Sequence, residues 1–191
     1  MKSAMVIMGH HSCFSAPGRS LIDFLKRVCR IRYVVGILAA HRDADDLRSV
    51  IAIHATRAER QPFLLAYIGH GWDDGWYYGK VNKKVWHTLG YDGLERILKE
   101  RRGPTLVLND TCRSGSLVER VRAWKEPHEA SVIAATSPKG TAMGEMTVDL
   151  IKSWREHKTY EPRRREYIPG RAFWERRAGL VHDRHFFPKP A

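Results

Sequence analysis

Cysteine is scarce in this chain, with Cys13, Cys29 and Cys112 the three present among 191 residues. That number gives no paired disulfide framework and suits a reducing compartment, the cytoplasm, where a thiol stays free. No run of about 18 apolar residues occurs, which excludes a membrane-spanning helix. The opening stretch Met1–Met8 holds too short an apolar segment for a signal peptide and reads as a first strand. Phosphate-cradling glycine loops are missing as well. No G-x-G-x-x-G or G-K-[ST] follows an apolar run, which argues against a nucleotide-binding doubly wound domain. There is no internal repeat and no low-complexity linker, and acidic residues are few, 21 against 33 Lys and Arg.

What is present describes a globular protein. The hydrophobic fraction is 43% with six Trp, and 191 residues can bury a full core as one domain. The net charge of +12 would attract polyanions or acidic protein surfaces. Basic residues thicken toward the C-terminal end, in Arg163-Arg164-Arg165, Arg171 and Arg176-Arg177. Aromatic and basic residues are not interleaved there in a nucleic-acid signature, so a solvated surface and a polyanion patch both fit.

Short apolar runs alternate with helical periodicity. Met5–Met8, Tyr33–Ile37, Phe63–Ile68, Thr105–Leu108 and Ser131–Ala135 read as strands. Phe63–Ile68 is nearly continuous apolar sequence, as in a strand covered on both faces. Helices fit Gly18–Arg30, Asp43–Ala58, Leu94–Glu100, Val118–Trp124 and Met143–Trp154, with apolar residues three and four apart. Trp76-Tyr77-Tyr78 suits a small strand or hairpin arm. The alternation implies an α/β fold, a mainly parallel central sheet with helices on both faces. Residues 1–156 form the expected domain, and 157–191 a basic tail, packed or mobile.

In such a sheet, functional groups gather past the carboxyl ends of strands. Two strands end in reactive residues. Phe63–Ile68 runs into Gly69-His70-Gly71, and Thr105–Leu108 into Asn109-Asp110-Thr111-Cys112-Arg113-Ser114-Gly115. An imidazole beside a thiol takes its proton and makes the nucleophile. His70 would be that base and would later protonate the leaving amine. The backbone N–H groups of Gly71 and Cys112 would hold the oxyanion. Ser114 is positioned to cap a following helix, whose positive end favours a thiolate.

A strand ending in His-Gly followed by a strand ending in Asp-x-Cys resembles the caspase, metacaspase and paracaspase superfamily of cysteine peptidases. Tyr67-Ile68-Gly69-His70-Gly71 resembles the Tyr-Ser-Gly-His-Gly of metacaspases, and Asp110-Thr111-Cys112-Arg113-Ser114-Gly115 their Asp-x-Cys-His-Ser-Gly. The animal caspase signature fits less well, because Asp110 stands where it has Gln and Gly115 falls one place late. The resemblance spans about residues 4 to 155. It implies a caspase-like α/β/α sandwich and a Cys-His dyad endopeptidase without cofactor. By the same resemblance Asp110 lines the S1 pocket and favours Arg or Lys at P1, and Ser137, in Ala135-Thr136-Ser137-Pro138, adds a pocket wall.

Plainer readings stand beside these. Cys29 on its helix stripe is structural. Cys13 follows His10-His11, but that spacing lacks a second ligand pair, so no metal site is expected. Asp73-Asp74 reads as solvated or as a calcium site, and Trp72, Trp76, Tyr77 and Tyr78 as hairpin packing or subsite walls. The competing function is a catalytically silent caspase-like module that uses its basic surface for nucleic acid or acidic proteins. The expected partners are a protein or peptide substrate and a regulatory protein. Nucleic acid is the less favoured partner, and no membrane is expected.

Overall fold

The computed structural model describes residues 2–57, 60–81, 85–124, 130–142, 144–157 and 173–175. The chain opens with strand β1 (Ser3–Met8), helix α1 (Ser12–Arg27), β2 (Tyr33–Leu38) and a short helical turn (Ala39–His41). Helix α2 (Ala44–Arg57) leads to β3 (Phe63–Ile68) and then to β4 (His70–Trp72), β5 (Gly75–Val81) and β6 (Val85–Gly90). Helix α3 (Tyr91–Glu100), β7 (Thr105–Asp110), α4 (Gly115–Arg122), β8 (Ala130–Ala134), α5 (Glu145–His157) and β9 (Phe173–Glu175) complete the order.

The central sheet runs β2-β1-β3-β7-β8-β9, with the first five strands parallel and β9 antiparallel to β8. Strands β4, β5 and β6 form a separate antiparallel sheet. The expected α/β fold with a mainly parallel sheet is therefore what the chain adopts. Three residues of the stretch read as a tail, Phe173–Glu175, extend the sheet edge; the arginine clusters at 163–165, 171 and 176–177 lie outside the described residues. Among the described residues, no helix is long and apolar enough to cross a membrane.

The continuous apolar runs follow from two cores, one on each face of the sheet. Met5, Ile7, Leu65, Tyr67, Val107 and Val132 face one layer, packed with residues of α2, α3 and α4 and with Trp76 and Tyr78. Alternate residues of the same strands, Ala4, Val6, Leu64, Ala66, Leu106 and Ile133, face α1 and α5. Side chains alternate along a strand, so covering both faces requires apolar residues at every position. All six residues of β3 are buried accordingly.

Boundaries depart from the sequence reading where tertiary contacts override local signals. Helix α1 starts at Ser12, not Gly18, and carries Pro17 inside it. The proline removes one helical hydrogen bond, but the added turn buries Phe14. Gly18 meets Met8 so closely that a Cβ there would lie 2.3 Å from Met8 Cγ. Helix α3 begins at Tyr91, which is fully buried, and β6 was not legible because its partner strand β5 supplies the pairing. Met143, read as a helix start, lies outside the described residues.

Two leucines separate core from edge. Leu65→Ala, at a fully buried position of β3, is expected to cost about 2–5 kcal/mol. Leu38→Ala, 48% exposed on β2, is expected to stay within about 1 kcal/mol of the parent. Urea denaturation of both variants checks the contrast.

Candidate active site

Parallel pairing sets Met8 opposite Ile68 and Ile68 opposite Asp110. Two residues beyond that row stand His10, His70 and Cys112, at the carboxyl ends of three neighbouring strands. The row continues past the strands. The Gly9 N–H donates to the Ile68 carbonyl at 2.8 Å, and the Gly69 N–H to the Asp110 carbonyl at 3.2 Å. Glycine makes this approach possible. A Cβ on Gly9 would lie 3.1 Å from Gly69 Cα, and one on Gly71 only 2.3 Å from Thr111 Oγ1 and 2.7 Å from the Cys112 carbonyl oxygen. The glycine after His70 therefore serves contact with the Cys112 loop.

His70 is half-buried at the start of β4. Its ring lies 5.0 Å from that of Phe14, 5.3 Å from Trp86 and 5.6 Å from both His10 and His11, centroid to centroid. The buried Tyr67 hydroxyl is shared between the carbonyls of Tyr77, at 2.9 Å, and His70, at 3.2 Å. Burial, with Tyr91 and Tyr78 nearby, holds the Tyr67 hydroxyl well above the usual phenol range, so it remains a donor. The Tyr67 ring stacks on Trp76 at 4.5 Å. The backbone that presents His70 is thus anchored to the core.

The Cys112 turn hangs from a buried polar network centred on Asn109. Asn109 Oδ1 accepts from Trp76 Nε1 at 2.9 Å, and its Nδ2 donates to the Tyr91 hydroxyl at 3.2 Å and the Ser114 carbonyl at 3.3 Å. The Thr111 hydroxyl reaches both Asn109 Oδ1, at 3.3 Å, and the Cys112 carbonyl, at 2.9 Å. Asn109 is fully buried, so its amide would be costly without these partners.

Arg113 has φ of 54°, in the left-handed region. For a non-glycine residue that costs roughly 1–2 kcal/mol. Its side chain offers compensation. The guanidinium reaches Asp73 at 2.7 Å and lies over the Trp72 ring, 3.7 Å from its centroid. Both contacts clasp the β4–β5 hairpin, which carries His70, to the turn that carries Cys112. Arg113 N–H also donates to the Gly140 carbonyl at 2.8 Å. The half-buried Cys112 Sγ lies 3.4 Å from both the N–H and the carbonyl oxygen of Ala142. The loop after β8 therefore holds the thiol. Ser114 stands at the start of α4 without capping it; its Oγ accepts from Thr136 N–H at 2.9 Å instead.

Asp110 is fully buried beneath the start of α5. Its Oδ2 accepts from Thr147 N–H at 2.8 Å and Thr147 Oγ1 at 2.7 Å, while Oδ1 is buried with no hydrogen-bond partner. Burial pushes the carboxyl up to about 6, against the opposing pull of the Thr147 bonds. Ser137 is half-buried elsewhere, accepting from Lys139 N–H at 3.3 Å. Its backbone abuts α4, and a Cβ on Gly115 would lie 2.8 Å from the Ser137 carbonyl carbon. Beside Arg113 runs an open groove of about 790 Å³, bounded by Asp73, Arg113, Ser116, Glu119, Arg120 and Lys139 among others.

Of the remaining candidates, Cys29 is buried and its thiol is pushed up to about 12 by burial, while Cys13 is exposed. Asp73 is taken by Arg113, and Asp74 accepts from the Tyr77 hydroxyl at 3.0 Å. Sequence reasoning missed the approach of His10 and His11 to His70. The strand-end rule contained the signal, because Gly9-His10-His11 follows β1 as Gly69-His70-Gly71 follows β3. It also missed Asn109, Ala142 and the Arg113 clasp, which depend on distant partners.

No protein-family model matches the sequence, and no curated protein matches it either. Solved structures do. Caspase-1 from Spodoptera frugiperda aligns with a TM-score of 0.54 at 14% identity, over 84% of this chain and 72% of its own. Raptor from Chaetomium thermophilum aligns at 0.53 and 11% identity, over 74% of this chain. A secreted C11 cysteine protease from Bacteroides thetaiotaomicron, solved with an irreversible peptide inhibitor, aligns at 0.50 and 14%, over 75% of this chain. The chain spans 16% of the Raptor chain and 50% of the C11 protease chain. These likenesses establish the fold, a caspase-like α/β/α sandwich.

Two substitutions test the geometry. Gly71→Ala is expected to destabilise by about 1–3 kcal/mol in urea, because the new methyl meets Thr111 and the Cys112 backbone. Asp110→Asn tests the buried carboxyl. Its folded value of about 6 exceeds the reference 3.8, so the parent's stability is fullest below 3.8 and falls as pH rises through 6. The variant, measured against the parent by denaturation, is expected to gain up to ~3 kcal/mol between pH 4 and pH 8. A difference that does not change with pH contradicts the assignment.

Proposed function

We propose that the chain is a cysteine endopeptidase with His70 and Cys112 as its dyad. The observation that carries this reading is the strand register, which sets His70 and Cys112 two residues past a hydrogen-bonded row on adjacent strands. The motifs that resemble metacaspases occupy those same loops.

In this reading His70 takes the Cys112 S–H proton, and Sγ attacks the scissile carbonyl carbon. The tetrahedral oxyanion is held by the backbone N–H groups of Gly71 and Cys112. Collapse breaks the C–N bond as His70 protonates the leaving amine, which leaves a thioester. Water then attacks the thioester with His70 as base, releasing the carboxylate product and restoring the thiol. Ala142 must withdraw from Sγ for substrate to enter, which makes the loop after β8 part of the working cycle.

Asp110 supplies the preference for Arg or Lys at P1. Its partnerless Oδ1 is the buried acceptor that a guanidinium or ammonium would satisfy, and Ser137 adds a wall on the α4 side. A basic P1 group reaching Asp110 also requires the covering start of α5 to shift, in addition to the withdrawal of Ala142 from the thiol. The open groove beside Arg113 suits the rest of an extended peptide.

One feature favours a second reading. The +12 charge, with the thiol held by Ala142, fits a silent module that binds polyanions.

Fluorogenic peptides with Arg, Lys, Asp or Leu at P1 separate the two. Cleavage after Arg or Lys is expected, reduced about 10³-fold or more by Cys112→Ala and about 10²–10⁴-fold by His70→Ala. The preference for Arg over Leu should strengthen as pH rises past about 6, where Asp110 ionises. Cleavage after Asp or Leu would discard the Asp110 pocket but keep the dyad. Silence with every peptide, together with steeply salt-dependent DNA binding, would favour the module.

A further inference from the structure

His10, His11 and His70 each offer one imidazole nitrogen, and these three nitrogens lie within 4.8 Å of one another. They come from two elements that the sheet forces together. Strand β1 ends at Met8, opposite Ile68 of β3, so His10 falls level with His70 across the parallel pair. His11 follows at the entry to α1, its ring centroid 4.6 Å from that of His10. Trp86 lies edge-on to His10 at 5.1 Å and to His70 at 5.3 Å, and Phe14 edge-on to His70 at 5.0 Å. These walls restrict the imidazole planes. His11 is exposed while His10 and His70 are half-buried, which leaves the cluster open to solvent on one side.

We propose that His10, His11 and His70 form a three-histidine site for a divalent transition metal of the zinc type, whose occupancy withdraws His70 from Cys112. The donor set points to this class of ion. Three neutral imidazoles suit Zn²⁺, Cu²⁺, Ni²⁺ and Co²⁺, whereas Ca²⁺ and Mg²⁺ demand oxygen donors. Nitrogens at about 2.0–2.1 Å from a tetrahedral zinc lie roughly 3.3 Å apart. Closing from the observed spread therefore takes side-chain rotation of about an ångström, well within reach of the exposed His11. Three protein ligands leave a fourth position for water. A metal-bound His70 nitrogen has no lone pair left for a proton, so the ion acts as a reversible brake. The brake rests on the peptidase reading; the metal site itself does not.

The test has two arms. Metal-free full-length protein titrated with Co²⁺ alone is expected to bind one ion, with the visible absorption of four-coordinate cobalt, and to release it to Zn²⁺. His11→Ala, at an exposed position where folding is not at stake, should weaken binding at least ~100-fold. The His10→Gln/His11→Gln pair should abolish it, and His54→Gln on α2 should leave it unchanged. Circular dichroism confirms that each variant is folded. No cobalt spectrum, or one that the His10 and His11 variants retain, overturns the site. The second arm adds Zn²⁺ to wild type turning over an arginyl peptide, where loss of turnover at the ion concentration that fills the site is expected. Full turnover with the site filled overturns the brake while the site stands. If wild type cleaves no peptide, the peptidase reading and the brake fall together, and the cobalt titration alone decides the site.

Discussion

The row formed by Met8, Ile68 and Asp110 across three parallel strands is the constraint on which the rest of the site depends. Once those residues are level, the next residues of each chain segment emerge side by side from the same edge of the sheet. The His10 and His70 rings become neighbours, and the Cys112 loop packs against Gly71, although these residues are far apart in sequence. A slip of one residue in any of these strands would turn its buried set over to the opposite core. The register is therefore held by some of the most completely buried side chains in the molecule, among them Ile7, Leu65, Tyr67 and Val107. The position of these strand-end residues and the core packing are set by one arrangement.

Beyond the strands, the loops have no such ladder and are held by other means. Gly9 and Gly71 let the loop backbones approach closely, and Gly69 leaves room for the Tyr67 ring. Asn109 gathers Trp76, Tyr91 and Ser114 into one buried network beneath the Cys112 turn. Arg113 accepts an unfavourable backbone angle and clasps the hairpin through Asp73 and Trp72. The ion pair is partly exposed and worth little alone, about 1 kcal/mol or less. The stacked guanidinium adds about as much again, so the two together roughly offset the strain. The result is a pair of loops held in place, with a third segment, from Gly140 to Ala142, in contact with the thiol and the Arg113 backbone.

Much of this was legible in the sequence, and for identifiable reasons. Phe63–Ile68 and Thr105–Leu108 announce buried strands because a sheet covered on both faces allows no polar alternation. Gly69-His70-Gly71 and Asp110-Thr111-Cys112 stand out in the sequence because reactive residues at strand ends have little structural purpose, and the two segments do follow adjacent strands. The start of α1 was misplaced because Pro17-Gly18 signals a break locally, while Phe14 and Met8 reward the extra turn through tertiary packing. Asp110 was legible as a special carboxylate, but its full burial under Thr147 depends on a helix that begins 35 residues later. The His10 and His11 approach to His70 was overlooked for the opposite reason: the strand-end rule applied to β1 too, and only Cys13 was weighed as their partner.

Covalent capture tests the account most directly. An arginyl peptide chloromethyl ketone incubated with the full chain places its ketone where the scissile carbonyl would sit and its chloromethyl carbon one atom beyond, where a thiolate forms an S–C bond and chloride leaves. Intact-mass and peptide mass spectrometry then locate the adduct. The account predicts one adduct, on Cys112, lost when His70 is replaced by Ala, with Cys13 unmodified despite its exposure. An adduct on Cys13, or labelling of Cys112 that is indifferent to His70, would contradict the claim that the strand register makes these two residues one chemical unit.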